Sequence, residues 1–445
     1  MSRNTSEDLD MVVRDCQVLR IRFFVGCKAA AEVGVSERLK ILFLTNRSPY
    51  PIQDGQSRRT YNILKCLACR HEVHLLSLYQ SAEEVTPESV RHLKSFCKQV
   101  EMFPAPRKTL SFGMVVRLLR SLFSKDPYTV WRHYSKEYAK RVQAWLDATQ
   151  FDVVHCDILS LAYCVRDLNG SFRTLTDHDV SHLVAKRLAA QARNPVLKLF
   201  LYIEALKLKQ LESRIFSKLD LGIAVSELDR RHLERLCPGG RFAVVENGVD
   251  VRAFVPDPDA VEPNALVWVG GFHYYPNCEA VRFFIEEIYP RIKKEKAEIK
   301  FYVVGSGVPD WLRRLATGDP SIVSTAYVDD PLPYIQRAGV FVAPILSGGG
   351  TKLKVLEAMA VGKAIVSTSI GVEGIEGKDQ EHFMVADGPE AFSSGVVSLL
   401  NDRVLRERLG ANARRRAMEK YDWEAICEAI SRIYQGAREE MRDAT

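Results

Sequence analysis

The feature that most constrains the fold is an alternation of short apolar runs with helix-length amphipathic stretches, which occurs twice along the chain. The first series comprises Lys40–Asn46, Val73–Leu78, Phe151–Cys156, Arg173–Asp177, Leu221–Val225 and Phe242–Val245. The second comprises Ala265–Val269, Lys300–Val304, Ile322–Thr325, Val340–Pro344 and Ala364–Thr368. Runs this short read as buried strands, and the spacing between them is helical. Strands joined through helices lie parallel, so each series predicts a doubly wound α/β sheet with helices on both faces. Between the two series, Val251–Asn264 carries three prolines and three acids without periodicity, and reads as a linker. A chain of 445 residues also exceeds one ordinary core. The expected domains are therefore 38–250 and 265–422, joined by 251–264. Residues 423–445 read as a long helix expected to cross back to the first domain. Residues 1–37 read as a loosely ordered extension, because the apolar patch Ile21–Cys27 contains Arg22 and lacks a signal-peptide layout.

Charge and cysteine content narrow the function classes. The net charge of +6, from 62 basic and 56 acidic residues, is too weak and too scattered for a nucleic-acid surface. It suits a negatively charged donor or the cytoplasmic face of a membrane. Ten cysteines in so long a chain make no disulfide framework and fit a reducing cytosol. Cys66 and Cys69 form a CxxC inside an amphipathic helical pattern; with no partner pair at zinc spacing, they read as buried thiols. No apolar run is long enough to span a bilayer. Two basic amphipathic segments remain open to two readings, core packing or contact with an anionic membrane. Arg193–Lys218 reads as core packing, and Leu110–Phe123 is the better membrane candidate.

The chemistry concentrates in FVAPILSGGGTKLKVLEAMAV, residues 341–361. An apolar run ends in Gly348, Gly349 and Gly350, and Thr351 opens a segment with helical apolar spacing. A strand, a glycine turn and a helix start form an anion site, since helix N-terminal amides and the helix dipole both favour negative charge. Lys352 and Lys354 add cations. Glu357 is a carboxylate in an otherwise apolar helix, able to accept a pair of sugar hydroxyls. Together these point to a nucleotide ligand. The bland alternative is a turn that binds nothing and a solvated glutamate. The GSG at Gly305–Gly307 is not a dinucleotide fingerprint, because Asp310 stands where the third glycine belongs.

On these motifs the chain resembles the GT-B fold retaining glycosyltransferases of family 4, the glycosyl transferases group 1. The resemblance covers nearly all of residues 38–440. It rests on Gly348–Ile375, Ala326–Ile345 and Ala413–Trp423, and in the first half on Arg47–Ala68 and Val244–Asp250. It implies two Rossmann-like domains facing across a cleft, and metal-independent hexosyl transfer from a nucleotide-diphosphate sugar with retention at the anomeric carbon. The acceptor would be a glycan or a lipid-linked molecule in cell-surface polysaccharide or glycolipid assembly, with no cofactor beyond the donor. It further implies that Glu357 is the second glutamate of the family's E-x7-E motif and binds the donor ribose. The first glutamate falls at Gly349 and is absent; Gly348–Lys352 resembles a glycine-rich subgroup in which backbone amides replace it. The loop after the first strand of the second domain, Gly270–Val281, has His273 and Asn277 but no lysine, which shifts the diphosphate charge to Lys352 and Lys354. Gly55 matches the glycine loop beneath the diphosphate, Val328 the segment that contacts the base, and His178 the active-site histidine. A nucleotide-sugar 2-epimerase and a non-catalytic sugar-nucleotide binder are the alternatives.

Overall fold

The computed structural model describes residues 38–106, 112–166, 168, 170–192, 194–325, 327–328 and 330–443. The readings for residues 1–37, Leu110, Ser111, Arg193, Ala326, Asp329 and 444–445 lie outside them. In the first half, β1 (Lys40–Thr45) leads into helix α1 (Gly55–Arg70), then β2 (Glu72–Tyr79), β3 (Gln99–Pro104) and α2 (Phe112–Phe123). They are followed by β4 (Val153–Cys156), β5 (Phe172–Asp177), α3 (Ser181–Gln191), α4 (Pro195–Phe216), β6 (Leu221–Ala224) and β7 (Phe242–Val244). The second half contains β8 (Glu262–Val269), α5 (Tyr275–Phe283), β9 (Lys300–Val304), β10 (Ile322–Ser324) and β11 (Ala338–Ala343). It ends with α6 (Leu353–Ala360), β12 (Ala364–Ser367), β13 (Met384–Val385) and the long helix α7 (Trp423–Asp443). Further helices fill the remaining crossovers.

Both sheets are parallel and doubly wound. Their strand orders are β3-β2-β1-β4-β5-β6-β7 and β10-β9-β8-β11-β12-β13. Each reverses direction beside its first strand, the switch point beyond which such sheets bind ligands. Inner strands such as β1 and β11 are buried throughout or nearly so, the signature of a sheet covered on both faces. The edge strands β3 and β13 were not legible as apolar runs. β3 reads QVEMFP and is mostly half-exposed, and β13 has only two residues. The second domain's first strand begins at Glu262, inside the stretch read as linker.

Helix α1 starts where the sequence sets a cap. The Asp54 carboxylate accepts from the Ser57 amide, and the Ser57 hydroxyl is within hydrogen-bond reach of the Asp54 amide, each at 2.9 Å. Its inner face (Ile63, Leu64, Leu67) packs with Trp423, Ile426 and Ile430 of α7. The C-terminal helix is thus part of the first domain's core. Cys66 of α1 is bonded to Cys427 of α7, with 5.3 Å between their Cα atoms. This corrects the reading of the CxxC as two buried thiols: Cys66 has a bonding partner 361 positions away, and Cys69 is exposed. The reading of Arg193–Lys218 as core packing holds for only half its length. Leu208, Leu211, Ile215 and Phe216 are buried, but Val196, Leu199 and Leu206 are more than 60% exposed. Among the described residues no helix is long and apolar enough to cross a membrane.

Candidate active site

The two domains meet at the C-terminal end of β11, where the chain leaves the sheet through Ser347-Gly-Gly-Gly-Thr351. Gly350 adopts φ +62°, and a side chain there would collide with the His178 carbonyl oxygen. Only glycine tolerates both the turn and that close approach. Thr351 is fixed from the other domain: its hydroxyl donates to the Val225 carbonyl at 3.2 Å, and its carbonyl accepts from the Asn247 side-chain amide at 2.9 Å. The helix begins at Leu353, two residues later than the sequence reading, and no side chain caps its N-terminus. Its first amides therefore retain their affinity for an anion. Gly55, at the start of α1, faces Leu353, with 3.1 Å between a Cβ built on the glycine and the leucine side chain.

The two lysines take different positions. Lys352 Nζ donates to the Gly350 carbonyl at 2.8 Å. Burial lowers its pKa to about 8, opposed by Glu373. Lys354 turns away from the glycines and into the loop after β8. There its Nζ donates to Asn277 Oδ1 at 2.8 Å and lies 4.4 Å from the centre of the Trp268 ring. Burial lowers its pKa to about 7, with Glu357 drawing it back. Its ammonium thus reaches the loop in which the sequence shows no lysine. Glu357 is nearly buried and ion-paired with Arg58 of α1. Burial raises its pKa, while Arg58 and Lys354 pull it down. Val328 packs, partly buried, against the core beneath the second sheet.

On the facing domain, β5 delivers Asp177, His178 and Asp179. His178 Nε2 lies 2.6 Å from the Asp157 carbonyl oxygen and 3.5 Å from its carboxylate. Burial works against charge on Asp157, yet His178 and His155 hold its carboxyl below the ordinary value. His155 Nδ1 pairs in turn with the Tyr434 hydroxyl of α7 at 2.6 Å. A buried chain of contacts therefore runs from the C-terminal helix to the candidate histidine. Around it, burial raises the pKa of Asp179 and Asp229, the latter to about 6. A second cross-domain clamp joins Arg187 of α3 to both Glu373 oxygens, at 2.5 and 2.6 Å, and to the Gly348 carbonyl, at 2.8 Å.

The structure brings His178, Gly348, Gly349, Gly350, Thr351 and Lys352 together, with Gly55 and Glu357 along α1 and α6. Arg58, Arg187 and Asp157 escaped the sequence reading. Their partners lie in distant segments, and spacing along the chain carries no sign of them. Arg58 sits within the Arg47–Ala68 segment, but only the fold distinguishes it from buried Arg59. Among the described residues no group of three or more His, Cys, Asp or Glu is arranged to hold a metal ion.

Residues 53–253 match the family described as Glycosyltransferase Family 4, and residues 263–402 match Glycosyl transferases group 1. Phosphatidyl-myo-inositol mannosyltransferase of Mycobacterium tuberculosis is 26% identical over 315 residues, 66% of this chain and 76% of that protein. Among solved structures, sucrose-phosphate synthase of Thermosynechococcus elongatus superimposes with a TM-score of 0.69 at 15% identity, covering 92% of this chain and all of that one. Anabaena HepE, solved in complex with UDP-glucose, superimposes with a TM-score of 0.60 at 15% identity, over 90% of this chain and 100% of that one. These structural likenesses establish a shared fold.

Proposed function

The chain is a glycosyltransferase of the GT-B fold, and we propose that it moves a hexosyl group from a nucleotide-diphosphate sugar to a glycan or lipid-linked acceptor with retention at the anomeric carbon. The observation that carries this reading is an uncapped helix N-terminus beside Lys352, brought against His178 through Gly350, with Lys354 and Glu357 on the same helix. The amides of α6 with Lys352 and Lys354 neutralise the diphosphate as it departs, the role a metal fills elsewhere. Glu357 accepts the ribose hydroxyls. The acceptor oxygen forms its bond to the anomeric carbon on the face from which the phosphate leaves. The acceptor proton passes to the departing phosphate oxygen, releasing nucleoside diphosphate. His178, oriented by Asp157, lines this centre. Gly350 touches the His178 carbonyl, so admission of donor requires the domains to part at the Arg187–Glu373 and Arg58–Glu357 clamps.

The acceptor side is proposed to work at the cytoplasmic face of a membrane. The end of α2 exposes Phe123 (91%) and Leu122, and Lys207 of α4 donates to the Leu122 carbonyl at 3.1 Å. That contact sets the end of α2 beside α4, which exposes Val196, Leu199 and Leu206, with Lys125 and Lys198 nearby in sequence. Apolar side chains beside lysines suit an anionic lipid surface. Phe123→Asp with Leu199→Asp is expected to abolish co-sedimentation with phosphatidylglycerol vesicles; retention of wild-type binding rejects the patch.

The donor reading is tested by calorimetry with a panel of UDP-, GDP- and ADP-sugars. One of them is expected to bind wild type and to bind Glu357→Ala and Lys352→Ala at least tenfold more weakly. Equal affinity in folded variants would refute the site.

A further inference from the structure

The donor-sugar glutamate of the family's motif is absent at Gly349, and the structure shows what occupies its place. A Cβ built on Gly349 would lie 2.7 Å from Cβ of Asp179 and 2.6 Å from Cγ2 of Val184. The Asp179 carboxyl carbon is 3.5 Å from the same point. The path a glutamate side chain would follow is therefore filled by an acidic side chain of the facing domain. Gly349, unlike Gly348 and Gly350, is not among the residues with left-handed backbone, so its conformation does not itself demand glycine. What excludes a side chain there is Asp179 and Val184.

The surroundings of Asp179 are those of a ligand-binding carboxylate. Among the described residues it accepts one long hydrogen bond, from Ser181 Oγ at 3.3 Å. A carboxylate has lone pairs for about four donors, so most of its capacity is open to sugar hydroxyls. It follows His178 directly. Burial raises its pKa, and His178, Lys352 and Arg187 draw it back toward the charged form. Across the turn, the Tyr274 hydroxyl lies 3.2 Å from a Cβ built on Gly348. Polar groups from both domains thus flank the glycines.

We infer that Asp179 is the donor-sugar carboxylate of this enzyme, accepting hydrogen bonds from hydroxyls of the transferred sugar in place of the missing glutamate; this rests on the transferase reading given above. Moving the carboxylate to the other domain has a consequence. The second domain supplies the lysines and helix amides for the nucleotide diphosphate, but the sugar carboxylate comes within reach only when the domains meet. Discrimination between a nucleotide and its sugar conjugate is then a property of closure.

The test compares UDP with UDP-glucose, and GDP with GDP-mannose, by calorimetry on wild type, Asp179→Asn and Glu357→Ala. Asp179→Asn is nearly isosteric, and its melting temperature is checked first. It is expected to bind the bare nucleotide within twofold of wild type and to lose tenfold or more of the preference for the sugar conjugate. Glu357→Ala is expected to lose affinity for both ligands alike. The combination D179A/V184A/G349E clears the path and restores a glutamate from the second domain, and is expected to regain the preference that Asp179→Ala loses. An Asp179→Asn variant that keeps the wild-type ratio overturns the assignment and leaves the transferase reading standing. A wild-type protein that binds neither pair overturns that reading and this inference with it.

Discussion

Removing Arg58 is expected to tighten donor binding, whereas removing its partner Glu357 weakens it. The two side chains form an ion pair across the domain boundary, with Arg58 33% exposed and Glu357 8%. On the proposed donor site, ribose and Arg58 compete for the same carboxylate. Two hydrogen bonds from hydroxyls to a carboxylate contribute about 1.5 kcal/mol each, about 3 kcal/mol together. Breaking the ion pair costs about 1 kcal/mol, since one partner already reaches solvent. The net contribution of Glu357 is about 2 kcal/mol, so Glu357→Ala weakens the donor about 30-fold. Arg58→Ala removes the opposing 1 kcal/mol and strengthens it about fivefold. The double variant binds as weakly as Glu357→Ala alone, because the competition has no object without the carboxylate. Titration calorimetry on the four proteins with one nucleotide sugar closes the cycle. If Arg58→Ala instead weakened the donor tenfold, the guanidinium would be part of the donor site and the competition argument would be wrong.

Burial holds Lys354 at about 7 and Lys352 at about 8, and a diphosphate prefers both protonated. Binding therefore takes up protons, and affinity falls as pH rises through this window by at most tenfold per pH unit for each lysine; a flat profile from about pH 6.5 to 9 contradicts the assignment. His178→Ala is expected to lower kcat on the order of tenfold or more while donor affinity stays within about twofold, read from steady-state kinetics beside calorimetry. Equal losses in both would make the histidine a donor contact. Non-reducing peptide mapping is expected to recover a Cys66–Cys427 linked peptide. Cys427→Ser should speed hydrogen exchange in α7, with a loss of about 2–4 kcal/mol typical of such a cross-link. Protection unchanged from wild type would show that packing alone holds the helix.

The parts of the molecule legible from sequence are those in which a local physical demand leaves a local mark. Inner strands such as β1, β9 and β11 are covered on both faces, so each is a run of apolar residues. The edge strand β3 has one neighbour and an open side, and tolerates Gln99, Glu101 and Pro104, which erase the mark. The same division separates the site. Gly348 to Glu357 lie within one turn and one short helix, and their spacing carried the anion-site argument. Lys354 belongs to that segment, but where its ammonium goes depends on Trp268 and on Asn277, the latter 77 positions away in sequence. Arg58 and Arg187 pair with residues 299 and 186 positions distant, and no periodicity reports a contact made by folding. Gly349 shows the limit most sharply. Its sequence records only that a glutamate is missing; the acidic side chain beside it comes from a strand end in the other domain. When a half-site migrates across a cleft, the motif looks incomplete from either side, and an apparent loss of function in the sequence becomes a redistribution of the same charge in space.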